Sequence, residues 1–462
     1  MGKTALTMLS KNEINDKFKN AKLGFDTWRK TTLQHRKSIL RKYKNLLKDN
    51  TDILAETISK EHGKPLWDSK SEVGAMVGKV DITFESYNAR ISAIRSVHAD
   101  MSIQARFKPF GVFAVIGPFN FPGHLPNGHI VPLLLAGNSV VFKPSSLTPE
   151  TGRKMVELLH QAGIPKDVVI LCEGSGADVI DNSLLDGVFF TGSTKVGHSI
   201  YKALSDYPEK IVALEMGGNN ATIVEEAGGL NTATNILVQS AFISTGQRCT
   251  CTRRLIVNKG KTACEGDRII RNLVDATDKL VIGDYTDDPE PFMGPMISVN
   301  AVNGILDAQK HLVSLGGTIL KEFKQINGTS SRLVEPGIID VTNIKNLPDE
   351  EYFGPLLQVI RSNTFDHAIE IANDTKYGLV SGVITKNKNL FWKAEAELKT
   401  GIVNWNRPTT GCASVVPFGG MGWSGCNRPS GYTTIEHCGH PTALHLTEVP
   451  ELPSTLLPGI TL

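Results

Sequence analysis

A glutamate and a cysteine, 34 residues apart and each in a glycine-containing turn, have the types and setting to do chemistry. Glu215 lies in Leu214-Glu215-Met216-Gly217-Gly218, straight after the apolar run Ile211-Val212-Ala213-Leu214. Cys249 closes Thr245-Gly246-Gln247-Arg248-Cys249, after a helix-like segment. A thiol attacks as thiolate, so it needs a depressed pKa or a base. A nearby carboxylate can take that proton, or later activate the water that releases a covalent intermediate. A buried structural cysteine and a solvated glutamate would read the same way, since free cysteine is among the most buried residue types. A third candidate is Asn120, held between prolines in Pro118-Phe119-Asn120-Phe121-Pro122. Its amide can donate to an oxyanion formed when a thiolate attacks a carbonyl, or it can simply form a turn.

A nucleotide is expected at two neighbouring strand ends. Thr191-Gly192-Ser193-Thr194-Lys195-Val196-Gly197 follows an apolar run and opens a helix-like stretch, where free N–H groups favour a phosphate. Its glycines are five apart, so the strict dinucleotide fingerprint is absent. Lys143-Pro144-Ser145 ends another strand, and ligands of open α/β sheets sit at such carboxyl ends. His124 and His129 with Cys249 and Cys251 do not make a metal site, because Cys-x-Cys without a second pair is not a structural zinc spacing.

These residues need a scaffold, and the sequence outlines one. Ile39, Leu40, Tyr43, Leu46 and Leu47 share a stripe at helical spacing. Ser102–Lys108 alternates polar and apolar, as an exposed strand or arm should. Val112–Ile116, Ser139–Phe142, Val168–Leu171 and Gly187–Phe190 are continuous apolar runs with helix-length spacers, the pattern of a doubly wound parallel sheet. A second α/β series begins near Asn220 and includes Arg254–Val257, Leu356–Ile360 and Gly401–Asn404. The segment from His440 to Leu462 reads as an extended tail that needs a partner surface.

At 462 residues two or three domains are expected. Forty-nine basic and 47 acidic residues leave a net charge of +2 without charge blocks, which argues against nucleic-acid or membrane partners. Seven irregularly spaced cysteines and an N-terminus without an apolar signal core point to reduced thiols in the cytoplasm. Cys172, Cys264, Cys412, Cys426 and Cys438 read as structural.

Taken together, these segments with Glu351-Tyr352-Phe353-Gly354-Pro355 and Pro417-Phe418-Gly419-Gly420 resemble the aldehyde dehydrogenase superfamily, in its motif order, from about Ala21 to near Pro441. The resemblance implies an NAD-binding domain over 1–90 and 109–217, a catalytic domain over 218–425, and an oligomerisation arm and tail at 91–108 and 441–462, making a homodimer or homotetramer. It implies Cys249 as nucleophile, Asn120 and the Cys249 N–H as oxyanion donors, and Glu215 as activator of the hydrolytic water. NAD would be met by Lys143, by Gly192 to Gly197, by Gly217, and by Glu351 with Phe353.

Phe121–Ile130, Gly217-Gly218-Asn219-Asn220, Gln247–Cys251 and Asn404-Trp405-Asn406-Arg407-Pro408 are most similar to members that oxidise succinylglutamate semialdehyde in bacterial arginine breakdown. Its two carboxylates suit the forked guanidinium of Arg248, Arg407 or Arg428. Another small acidic semialdehyde, or a non-catalytic NAD-binding role, are the alternatives. The family's ribose-binding Glu, three residues after the lysine, is Ser146 here, which leaves NADP open. Cys426 and Asn427 stand where close relatives carry Asn and His. The strand pair that usually precedes the first helices is not seen, a departure that bears on the N-terminal edge and on oligomer stability.

Overall fold

The computed structural model describes residues 9–91, 95–98, 101–259, 265–326, 328 and 331–462. The readings that rest on the first eight residues and on Cys264 lie outside the described residues.

Five strands make one fully parallel sheet, in the spatial order Val169–Leu171, Ser139–Lys143, Val112–Ile116, Gly187–Thr191 and Ile211–Glu215. Chain order reverses between Val112–Ile116 and Gly187–Thr191, and such a switch point leaves a crevice at the carboxyl ends. Alternate side chains of each strand enter opposite cores. Phe113, Val115, Val140 and Phe142 pack with Leu40, Tyr43, Val73 and Leu134 from the helices Leu33–Asp49, Leu66–Arg90 and His124–Ala136. Val112, Ala114, Val141 and Val188 pack with Ile14 and Phe18 of Lys11–Trp28 and with Ile200 of Thr194–Ala203. Burial on both faces explains why these strands read as unbroken apolar runs.

A second sheet has seven strands: Thr318–Lys321, Gly337–Asp340, Leu356–Ser362, Arg254–Asn258, Ala221–Val224, Val380–Ile384 and Ile402–Trp405. Only the first pair is antiparallel. The helices Leu230–Phe242 and Glu265–Thr277 cover one face, and Phe365–Asn373 and Lys388–Glu397 the other.

Arg95–His98, Met101–Pro109 and Gly439–Leu446 form a separate antiparallel sheet. The start of the tail therefore pairs with this chain's own arm, from Gly439 opposite Pro109 to Leu446 opposite Ser102. Beyond it Val449, Leu452, Leu457 and Leu462 are exposed. Among the described residues no helix is long and apolar enough to cross a membrane.

One buried pair fastens the early helices to the loop after Val112–Ile116. Lys64 and Glu72 are fully buried and 2.5 Å apart. Lys64 also donates to the Asn120 carbonyl at 3.1 Å, and Glu72 accepts from the N–H groups of Gly123 and His124 at 2.8 and 3.0 Å. Removing one member strands the other charge out of water, which costs about 3–5 kcal/mol. Glu72→Ala is thus expected to lower the unfolding free energy by about that amount, read from the midpoint shift in denaturant at unchanged slope.

Candidate active site

Asn120, Lys143, Thr191 and Glu215 all lie at or just beyond the carboxyl ends of the five-stranded sheet. From Glu215 the chain crosses through Met216–Asn220 to the central part of the seven-stranded sheet. Cys249 reaches the junction from the other side, on the turn after Leu230–Phe242.

That turn has an unusual backbone. Ser244, Thr245 and Gly246 have φ of 53°, 57° and 67°, three left-handed residues in succession. L-residues adopt this region at a cost, so the surroundings must hold it. The Ser244 hydroxyl donates to Asp68 at 2.5 Å and that of Thr245 to the Gly294 carbonyl at 2.7 Å. Position 246 has to be glycine, because a Cβ there would stand 2.4 Å from the Gly354 carbonyl. Arg253, only 1% exposed, donates to the carbonyls of Gly246 at 2.7 Å, Gly354 at 3.1 Å and Arg248 at 3.0 Å, and lies 3.4 Å from Glu351. Asn220 donates to the carbonyls of Cys249 and Cys251 at 2.6 and 2.8 Å.

Asn120 is brought to the nucleophile's turn. Its side-chain amide donates to the Gln247 carbonyl at 2.9 Å, and the second amide hydrogen remains for another acceptor. Cys249 lines a cavity of about 380 Å³ and is otherwise enclosed by protein. Burial pushes its thiol far above the usual range, and the charges of Glu351 and Glu215 push in the same direction.

Glu215 is buried rather than solvated, at 5% exposure. Burial raises its carboxyl to about 8, against the opposing effect of the Ser430 N–H, which donates to one oxygen at 3.1 Å. The other carboxylate oxygen has no partner among the described residues. The segment around Ser424 covers this strand end, with the Met216 N–H on the Ser424 carbonyl at 3.0 Å. Cys426 contributes too: its thiol accepts from the Leu214 N–H at 3.1 Å and donates to the Val212 carbonyl at 3.3 Å. An asparagine amide at that position offers the same acceptor and donor.

The nucleotide-binding candidates also gather. Ser193 caps the helix Thr194–Ala203 by accepting from the Val196 N–H at 3.4 Å. Gly192 lies flat on Phe190, where a Cβ would come within 2.5 Å of the ring, and Gly197 lies on Met216. Thr194, Lys195 and Val196 form the first turn. Lys143 lines a cleft of about 700 Å³ with Ile116, Val196 and Tyr207. Gly217 faces Glu351, whose carboxylate oxygen would be 1.8 Å from a Cβ at that position. Arg253 lies over the Phe353 ring at 5.3 Å, and Phe353 meets Phe119 edge-on at 5.8 Å. A glycine-floored helix start and a lysine-lined cleft on one sheet edge fit a dinucleotide.

The three arginines fare differently. Arg248 lines the cavity, but its guanidinium is engaged by Asp68 at 2.7 Å, by Ser244 at 2.9 Å and by the Thr410 carbonyl at 3.2 Å. Its charge is already met and it props the turn. Arg407 and Arg428 are exposed and outside the cavity lining. Their adjacency in sequence to signature segments does not carry them into the cavity, because the backbone there directs both to solvent. The basic groups that do line it are Lys79, His124 and His129 beside Arg248. Sequence reasoning missed Arg253, the Lys64–Glu72 pair and Lys79. For Lys79, set in Met76-Val77-Gly78-Lys79-Val80, a lysine inside an otherwise apolar stretch was the available signal.

Glu215 also carries a linkage between pH and stability. A carboxyl raised from about 4.5 to about 8 in the folded state binds its proton more tightly there than in the unfolded chain. Stability from this group is complete below about pH 4.5 and is lost as pH rises toward 8. The unfolding free energy of wild type minus that of Glu215→Gln is expected to fall across that window and level above it. Denaturant titrations at half-unit pH steps measure it.

The model of the aldehyde dehydrogenase family matches residues 4–442. The N-succinylglutamate 5-semialdehyde dehydrogenase of Serratia proteamaculans is 46% identical over 443 residues, 95% of this chain and 90% of that protein. The enzyme of the same name from Acinetobacter baylyi is 46% identical over 445 residues, 96% and 90% of the two chains. Among solved structures, glyceraldehyde-3-phosphate dehydrogenase of Methanocaldococcus jannaschii complexed with NADP superposes with a TM-score of 0.88 at 27% identity, covering 96% of both chains.

Proposed function

We propose, from the premise that the chain belongs to the aldehyde dehydrogenase family, that it oxidises N-succinylglutamate semialdehyde to N-succinylglutamate with NAD. The observation that carries the reading is one junction where a cavity-lining thiol, an amide hydrogen-bonded to its turn and a buried carboxylate with a free oxygen meet. The 46% identity with the two relatives above supports the choice of substrate.

Cys249 attacks the aldehyde carbon and its thiol proton passes to water as the bond forms. The oxyanion is held by the second amide hydrogen of Asn120 and by the Cys249 N–H. NAD, when bound, would supply the acceptor for the hydride on the substrate carbon. Cys249 then carries a thioester. Glu215, with its unpartnered oxygen, takes a proton from water as that water attacks the acyl carbon, and Cys249 departs as the thiol. Lys143 would hold the adenosine ribose, Gly192 to Gly197 the pyrophosphate, and Glu351 with Phe353 the nicotinamide ribose.

Residues 1–90 and 109–217 are assigned to cofactor binding and 218–425 to catalysis. The arm at 91–108 and the tail at 441–462 are assigned to pairing with further copies, as a dimer or a tetramer. Among the described residues both outer strands of the arm sheet are unpaired edges, and such edges take another chain readily. Six free cysteines among the described residues support a cytoplasmic location.

Initial rates of NADH and NADPH formation with succinylglutamate, glutamate and succinate semialdehydes test the assignment. A hundredfold preference for the succinylated substrate is expected, and an equal or better rate on either other substrate sinks that choice. Cys249→Ala should abolish turnover, while Asn120→Ala should lose roughly a hundred- to thousand-fold in kcat, as removal of one oxyanion donor does.

Glu215 acts as the carboxylate, so thioester hydrolysis should rise tenfold per pH unit up to about pH 8. Single-turnover deacylation across pH 6 to 9 reads this limb, which Glu215→Gln should remove.

A further inference from the structure

Lys79 stands on the cavity wall without a counter-charge. It lies on the helix Leu66–Arg90, is 2% exposed, and its ammonium donates to the Gly431 carbonyl at 2.5 Å. Among the described residues no carboxylate reaches ion-pair distance of it. Glu72, two turns earlier on the same cavity-facing side, is taken by Lys64 and by two backbone N–H groups. A buried ammonium without a partner costs several kcal/mol even after the surroundings relax. Burial accordingly lowers its pKa to about 8.

The other groups facing it do not supply the missing anion. His124 and His129 are held at about 4 and about 3 by burial and by the charge of Lys79, so both are neutral imidazoles. The charge of Arg248 is met by Asp68. The Cys438 thiol is buried and kept protonated, far above the usual thiol range. A glycine lies in front of the lysine. Gly128, inside the helix His124–Ala136, lines the same cavity, and a Cβ there would meet only the Lys79 Cε, at 3.9 Å. Glycine within a helix costs about 1 kcal/mol against alanine, and no close backbone approach requires it at this position. What it leaves is open cavity before the ammonium.

Resting on the substrate class proposed above, we infer that Lys79 binds a carboxylate of the substrate remote from its aldehyde, in the space left by Gly128, and so sets the preference for acidic semialdehydes. The substrate brings the counter-ion that the protein lacks.

The test compares kcat/KM for acidic semialdehydes with that for hexanal, in wild type and Lys79→Met. The ratio of acidic to uncharged substrate is expected to fall about a hundredfold, carried by KM, which is the scale for losing one partner of a desolvated charge pair. A ratio within threefold of wild type overturns the inference. N-succinylglutamate should raise the melting temperature of wild type and leave that of Lys79→Met unmoved, and equal stabilisation of both also overturns it. Should Lys79→Met fail to fold, Gly128→Leu fills the opening and keeps the lysine. It should lower the same ratio at least tenfold, and an unchanged ratio counts against the role. A wild type that prefers succinate or glutamate semialdehyde, with a ratio still dependent on Lys79, would refute the substrate reading and uphold this one. Preference for the succinylated substrate with a ratio indifferent to Lys79 would do the reverse.

Discussion

The guanidinium of Arg253 ties the nucleophile's turn to the segment that carries Glu351 and Phe353. It is almost fully buried and draws three carbonyls and one carboxylate around itself. Three consecutive left-handed residues cannot persist on local preference alone. Arg253 fixes the carbonyl of Gly246, and Asp68 and the Gly294 backbone hold the side chains of Ser244 and Thr245. Asp68 in turn is balanced by Arg248. The position of Cys249 thus depends on buried charge met by buried charge, an arrangement that tolerates loss of neither partner.

The same dryness governs the reacting groups. Burial raises the thiol of Cys249 and the carboxyl of Glu215 together, and each negative charge makes the other harder to form. Where both groups keep their protons the site holds no unbalanced anion. In the proposed mechanism deprotonation coincides with substrate chemistry, when the Asn120 amide and the Cys249 N–H have a charge to receive. One oxygen of Glu215 is left without a protein partner among the described residues, which suits a group proposed to activate water.

Much of this was legible in the chain. Strands buried on both faces announce themselves as unbroken apolar runs, so the sheet containing Val112–Ile116 and Gly187–Thr191 could be read directly. Asn120, Glu215 and Cys249 could be picked out because each sits in a turn between strongly patterned elements. The strands Ala221–Val224 and Val380–Ile384 went unread, the first four residues long and the second containing serine and glycine. For the arginines, nearness in sequence to a motif does not say which way a side chain faces. Arg407 and Arg428 face solvent, and Arg248 is spent on Asp68.

The sequence by itself determined many of the element types and the parallel sheet, and it singled out Cys249, Asn120 and Glu215 as candidates by their settings in turns. These follow from local patterning, which the chain carries residue by residue. Tertiary structure alone decided which charges are paired. Lys64 with Glu72, Asp68 with Arg248 and Arg253 with Glu351 are partnerships of burial, and Lys79 is left over by the same accounting. Ion-pair energies depend on distance and on the water excluded around them, and neither quantity exists until distant segments have packed.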